Sequence, residues 1–216
     1  MKKCYRGDAT TSFHLIIKRE TQRFMNLNQF TIEELANALY LKCEERGIHK
    51  GTDKTKFREA VIADKLGFTT HAKISAGKDS DAYGSDAFDA DGNAAEFKSK
   101  ALDESDLKNL FQLSYGNGKT YAPLKVSGVY NGYNSNYETA SVAYAEIDHY
   151  FALFYKEKCV LIIKVNTDYV MNCLNENYNK FVAKGKKGST NLNSVIISLG
   201  DVDNYTVAYR NEEFFA

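Results

Sequence analysis

The sequence predicts a mixed α/β domain, a central mixed β-sheet flanked by helices, and three observations predict it. Residues 150–155 and 159–165 are two runs of dense β-formers around Lys156-Glu157-Lys158, and their near-continuous apolarity marks them as central, buried strands. Residues 31–46, 52–66 and 168–181 carry apolar stripes at helical spacing and end signals that fit helices. Between these sets, residues 86–98 read as a short hairpin turning at Asp91-Gly92-Asn93, because Gly and Asn accept the positive φ that tight turns require.

A chain of 216 residues suits one domain with an appended arm. We read residues 1–70 as an N-terminal helical region that dimerises and 71–216 as the core carrying the chemistry. Residues 1–25 lack a clear period, and Met25 offers an alternative start that would leave 1–24 as a leader. The net charge is zero, with 28 basic and 28 acidic residues, which argues against a non-specific polyanion binder. It leaves room for a local basic cleft, since steering depends on where charges sit. Cys4, Cys43, Cys159 and Cys173 show no Cys-x-x-Cys spacing, so neither a zinc site nor a disulfide framework is indicated. Reduced thiols fit the cytoplasm. No apolar run approaches the roughly 20 residues that cross a bilayer. The run at 13–17 is too short for a secretory signal and is broken by His14.

In chain order, Thr31 with Glu34 three residues on forms a capping box that opens the first helix, with Ile32, Leu35 and Leu39 on one stripe and Gly47 beyond its end. The second helix ends at Gly67, and its stripe is Phe57, Ala60, Val61 and Leu66. Lys73 and Lys78 flank a glycine just before the hairpin, a placement that suits contacts to a DNA backbone. The run 103–112 is polar and helix-like, and 114–119 is a loop. Residues 129–137, dense in Asn and Tyr, read either as a turn-rich loop or as a base reader. In the second reading Asn131, Asn134 and Asn136 would face adenine edges and Tyr133 would pack on sugars. The helix at 168–181 buries Val170, Leu174, Tyr178 and Phe181. Lys184, Lys186 and Lys187 form the one dense basic cluster, either a solvated loop or a phosphate anchor. The tail adds strands near 195–199 and 205–209.

The hairpin carries the chemistry. Alternation puts Glu96 and Lys98 on one face of its second strand and Phe97 on the other, in the core. The turn folds Asp86 back towards Glu96, so two carboxylates and an ammonium meet at one end of a small sheet. Carboxylate oxygens are ligands for a hard cation such as Mg²⁺. A lysine there orients or activates a water, or offsets charge building on a phosphate. An acid two residues before a lysine is common: Asp106-Leu107-Lys108 repeats the triplet. The upstream aspartate, the turn between and the serine after Lys98 distinguish the first.

Asp86, ten residues, then Glu96-Phe97-Lys98 across a hairpin resembles the PD-(D/E)xK nuclease superfamily. The wording Asp86-Ala87-x-Asp89-x-x-Gly92 with Glu96-x-Lys98-Ser99 resembles its PvuII-like type II restriction endonucleases. The likeness spans roughly residues 77–200. It is carried further by the strand pair at 150–163 and by Gly188-Ser189-Thr190-Asn191-Leu192-Asn193-Ser194, which resembles an asparagine-bearing recognition loop. Tyr83 stands where the resembled enzymes carry another acid. The resemblance implies a restriction-endonuclease-like fold and a homodimer cutting both strands of double-stranded DNA. It also implies Mg²⁺ held by Asp86, Glu96 and the Phe97 carbonyl, with Lys98 at the attacking water. Glu59, on the preceding helix, stands where many of these nucleases add a glutamate to the metal site; its other reading is a solvated helix residue. His149 is implied as a base reader beside Asn191 and Asn193; its other reading is a structural hydrogen-bond partner. Two other readings stay open: a repair or junction-resolving nuclease of the same fold, and a DNA-binding protein that no longer cuts.

Overall fold

A computed structural model describes residues 29–45, 54–70, 85–114, 124–130, 136–185 and 193–215. The chain divides into two compact units, Met1–Thr31 and Ile32–Ala216, and every described helix and strand lies in the second. The helices are α1 (Ile32–Glu45), α2 (Lys54–Leu66), α3 (Glu104–Ser114), α4 (Tyr137–Ala145) and α5 (Thr167–Ala183). The strands are β1 (Thr69–Thr70), β2 (Ala87–Phe88), β3 (Ala94–Ala101), β4 (Lys125–Val129), β5 (Asp148–Tyr155), β6 (Lys158–Val165), β7 (Ser194–Ser198) and β8 (Tyr205–Arg210). Six strands form a mixed sheet in the order β1-β2-β3-β5-β6-β8, with β3 and β5 parallel and all other neighbours antiparallel. The strands β4 and β7 make a separate antiparallel ribbon. None of the described helices is long and apolar enough to cross a membrane.

The central strands are those whose sequence is apolar throughout. All six inner residues of β5 are buried, and so are five consecutive residues of β6, because both faces of the sheet are covered. On one face α2 packs Val61, Ile62 and Ala63 against Ala95, Phe97, Tyr150, Ala152 and Ile162. On the other, α3, α4, α5 and the β4–β7 ribbon enclose Phe151, Leu153, Leu161 and Ile163. Both N-terminal helices therefore belong to the compact unit that holds the sheet, although the sequence divides them from it at residue 70. The helix α2 stops where expected: Gly67 turns left-handed at φ +71°, and the Phe68 N–H closes on the Ala63 carbonyl at 2.8 Å.

Three expectations need correction. Phe57 is 40 % exposed, because Val61, Ile62 and Ala63 form the buried face of α2. Ile32 and Leu39 are also exposed, and α1 buries Ala36 instead. The stretch read as one loop from 129 to 137 is bounded by real elements. Alternation of Leu124, Val126, Gly128 and Tyr130 inward builds β4, and α4 begins at Tyr137 with Ala140 and Tyr144 buried one turn apart.

The β5–β6 connection is a two-residue turn whose central residues, Lys156 (φ 48°) and Glu157 (φ 61°), both adopt the left-handed region. Neither is glycine, so the turn is held from outside. Arg58 of α2 grips the Glu157 carboxylate through Nε (2.8 Å) and Nη2 (2.7 Å), and Lys54 adds a third contact at 3.2 Å. Burial pushes the Glu157 carboxyl up, but the Arg58 and Lys54 bonds and charges outweigh it and hold the group below its ordinary range.

Candidate active site

The hairpin forms as the residues require. Asp89 braces its turn: its Oδ1 accepts the N–H groups of Asp91 (2.9 Å) and Asn93 (2.8 Å), and Oδ2 accepts the Asn93 amide at 2.8 Å. Those bonds, the Asn93 side chain first, hold its carboxyl below the ordinary range. Gly92 takes φ +87°. The pairing of Ala87 with Ala95 and of Phe88 with Ala94 brings β2 beside the first residues of β3. There the Asp86 N–H donates to the Ala95 carbonyl (2.8 Å) and Asp86 Oδ2 accepts the Phe97 N–H (2.8 Å). The aspartate is thus fixed at both its backbone and its carboxylate, directly over the Glu-x-Lys segment.

Period two divides β3 as the sequence implies. Phe97 turns into the α2 face and stacks edge-on with Tyr150 at 6.0 Å, while Glu96 and Lys98 point to the opposite face. The Lys98 ammonium bonds the Glu96 carboxylate and lies 4.8 Å from the centre of the Tyr130 ring. Glu96 is 7 % exposed. Burial pushes its carboxyl up to about 7; Lys98 opposes this, while the charges of Asp86 and Glu59 add to it. Glu59, half-buried on α2, therefore shares one electrostatic field with the two hairpin carboxylates.

Beneath the lysine lies a layer the sequence reading missed. Tyr130, wholly buried at the end of β4, meets His149 Nδ1 at 3.2 Å, and His149 Nε2 meets the Tyr144 carbonyl at 2.9 Å. A carbonyl only accepts, so Nε2 carries the proton and Nδ1 accepts from the Tyr130 hydroxyl. Burial depresses the His149 pKa to about 4, which keeps the ring neutral. His149 stands beside Glu96 in the parallel β3–β5 register and has no exposed surface, the place of a structural hydrogen-bond partner and not of a base reader. Its ring nitrogens serve the core. The signal for this layer was the alternation of residues 124–130, obscured by a glycine in the strand.

The other expected binding residues divide by position. Lys184 is exposed at the C-terminal cap of α5, and Asn136 is exposed at the start of α4. Asn193 is half-buried, and its carbonyl accepts the Tyr130 N–H at 2.8 Å. That bond joins the described flanks of the two asparagine-bearing stretches at one end of the β4–β7 ribbon, next to the hairpin. Lys73, Lys78, Asn131, Tyr133, Asn134, Lys186, Lys187 and Asn191 lie outside the described residues. The repeated triplet is a surface feature: Asp106, on α3, pairs with Lys100 at 3.0 Å.

Among the described residues no three or more His, Cys, Asp or Glu side chains converge as a preformed metal cage. Mg²⁺ does not need one, since it binds through one or two carboxylates and keeps several waters. Asp86 and Glu96, two carboxylates whose charges repel at a buried position, fit that donor set. The chain matches no protein-family model, and no curated protein matches it.

Proposed function

We propose that this chain is a Mg²⁺-dependent endonuclease that hydrolyses phosphodiester bonds of double-stranded DNA at a defined sequence, in the manner of type II restriction enzymes. The observation that carries the reading is the placement of Asp86 over Glu96 and Lys98 by a braced hairpin, with the carboxylates in mutual repulsion. Asp86, Glu96 and the Phe97 carbonyl would hold the cation, with Glu59 beside them. Bound there, Mg²⁺ supplies Lewis acidity towards the scissile phosphate and lowers the pKa of a coordinated water.

The chain's own groups do the rest. Asp86 keeps its orientation because the Phe97 N–H holds Oδ2. Glu96 aims the Lys98 ammonium, which donates a hydrogen bond to the attacking water and offsets the negative charge building on the phosphate. Lys184 and Asn193, with the lysines and asparagines between them in sequence, provide phosphate anchoring and base reading. Two strands require two such sites, so the active form is a homodimer, for which exposed Ile32 and Leu39, two turns apart on α1, offer an apolar stripe. Free Cys159 and Cys173 fit a cytoplasmic setting. Incubating a sequenced plasmid with protein and Mg²⁺ and mapping the ends tests the reading: discrete cuts at one repeated sequence support it. Cutting confined to branched or damaged DNA would instead indicate a repair or junction-resolving enzyme.

A further inference from the structure

Lys98 meets Glu96 two residues away on the same face of β3, and its stem packs against β4 at Gly128. A Cβ built on Gly128 would stand 2.5 Å from Lys98 Cγ, 3.0 Å from Lys98 Cδ and 3.0 Å from Phe151 Cε1. Real Cβ contacts essentially never fall below 3.0 Å, and Cγ lies near the root of the side chain, so it clears only by a change of χ1 that redirects the whole stem. Two residues on, the same strand face presents the Tyr130 ring to the ammonium at 4.8 Å. That ring is itself immobilised, by the bond between its hydroxyl and His149 and by edge-on packing on Tyr144 at 4.9 Å.

We infer that Gly128 and Tyr130 are positioning residues for Lys98: the bare backbone at 128 leaves the slot for its stem, and the Tyr130 ring seats its ammonium beside Glu96. This rests on the reading of Lys98 as a catalytic residue. It goes further in assigning the geometry of that lysine to the β4 strand, outside the hairpin motif. Glycine inside a strand otherwise weakens it, so its use here answers a close approach.

Two measurements on the full-length chain test this. In single-turnover cleavage of cognate duplex, Gly128→Ala slows the chemical step by about 10²-fold, the cost of moving a reacting group by an ångström. Its Kd for the same duplex in Ca²⁺ stays unchanged. Tyr130→Phe keeps the ring packed edge-on on Tyr144 and retains most of the rate, whereas Tyr130→Leu loses it. The second measurement needs no cleavage. The Lys98 ε-methylene protons, assigned by comparison with Lys98→Met, should resonate upfield of the other lysines because they lie over an aromatic ring. That displacement should persist in Tyr130→Phe and vanish in Tyr130→Leu and in folded Gly128→Ala; the Tyr130 pair reads the device without disturbing the packing at 128. An unshifted Lys98 in the wild type, or a Gly128→Ala protein with full rate and an unchanged spectrum, overturns the inference. A wild-type protein that shows the shift but cuts no DNA keeps the positioning device and removes the nuclease reading.

Discussion

At the scale of single residues, Glu96 is the most informative side chain. Its carboxyl, ordinarily titrating near 4.5, is held at about 7, first by burial and then by the charges of Asp86 and Glu59, against the pull of Lys98. A carboxyl with a raised folded pKa contributes stability that is fully present below about pH 4.5 and is lost as pH rises through about 7. The difference in pKa corresponds to on the order of 3 kcal/mol. Glu96→Gln should abolish that decline, so urea midpoints of the two proteins measured from pH 4 to 8 should diverge with rising pH in the variant's favour. His149, with its folded pKa depressed to about 4, acts in the opposite sense, stabilising above about 6.5 and losing this as pH falls. Both proteins share it, so their difference isolates Glu96. Parallel curves would show that Glu96 titrates alike in the folded and unfolded chain.

At the scale of elements, the hairpin was legible because its determinants are local. Asp91-Gly92-Asn93 dictates a turn, period two divides Glu96 and Lys98 from Phe97, and no distant residue needs to be known. The central strands β5 and β6 were legible for a similar reason, since burial on both faces writes itself as an unbroken apolar run. What surrounds the site was not. His149 looked available because sequence does not show which polar side chain finds partners, and its partners come from Tyr130, 19 residues away, and from a backbone carbonyl. Nothing in the sequence marks Gly128 until the stem of Lys98 is seen packed against it. The same blindness hid the clamp between α2 and the β5–β6 turn, whose partners Arg58 and Glu157 are 99 residues apart. Glu157→Gln would leave the half-buried Arg58 charge uncompensated over a turn already in the left-handed region, at a cost of about 3 kcal/mol. Chemical denaturation at pH 7 checks this; an unchanged midpoint would mean that the turn needs no clamp.

At the scale of the molecule, two elements that are remote in sequence meet. The ribbon of β4 and β7 lies on the sheet face that carries Glu96 and Lys98, and the Tyr130–Asn193 bond ties the flanks of both asparagine-bearing stretches to its end beside them. Reading and cutting should therefore be separable by mutation. Lys184→Ala should weaken binding to all duplexes alike and reduce the salt slope by about 1. Asn193→Ala should cost about 1–3 kcal/mol on the cognate duplex alone. Titrations in Ca²⁺ against cognate and scrambled duplexes distinguish these outcomes, and equal losses on both from Asn193→Ala would remove it from the readout. Light scattering should give the mass of a dimer, free or on DNA; a monomer in both states would refute the two-site arrangement.

The central claim is that the hairpin carboxylates and Lys98 form a metal-dependent nuclease site, and one comparison tests it most directly. Wild type, Asp86→Asn and Asp106→Asn are incubated with a sequenced plasmid and Mg²⁺, then again with EDTA. An amide at position 86 keeps the shape of the side chain but loses the charge that holds a cation. Asp106 belongs to the triplet on α3 and pairs only with the surface Lys100 among the contacts described. The account predicts discrete double-strand cuts by wild type and Asp106→Asn, none by Asp86→Asn despite a native fold, and none by any protein in EDTA. Full cutting by Asp86→Asn would contradict it.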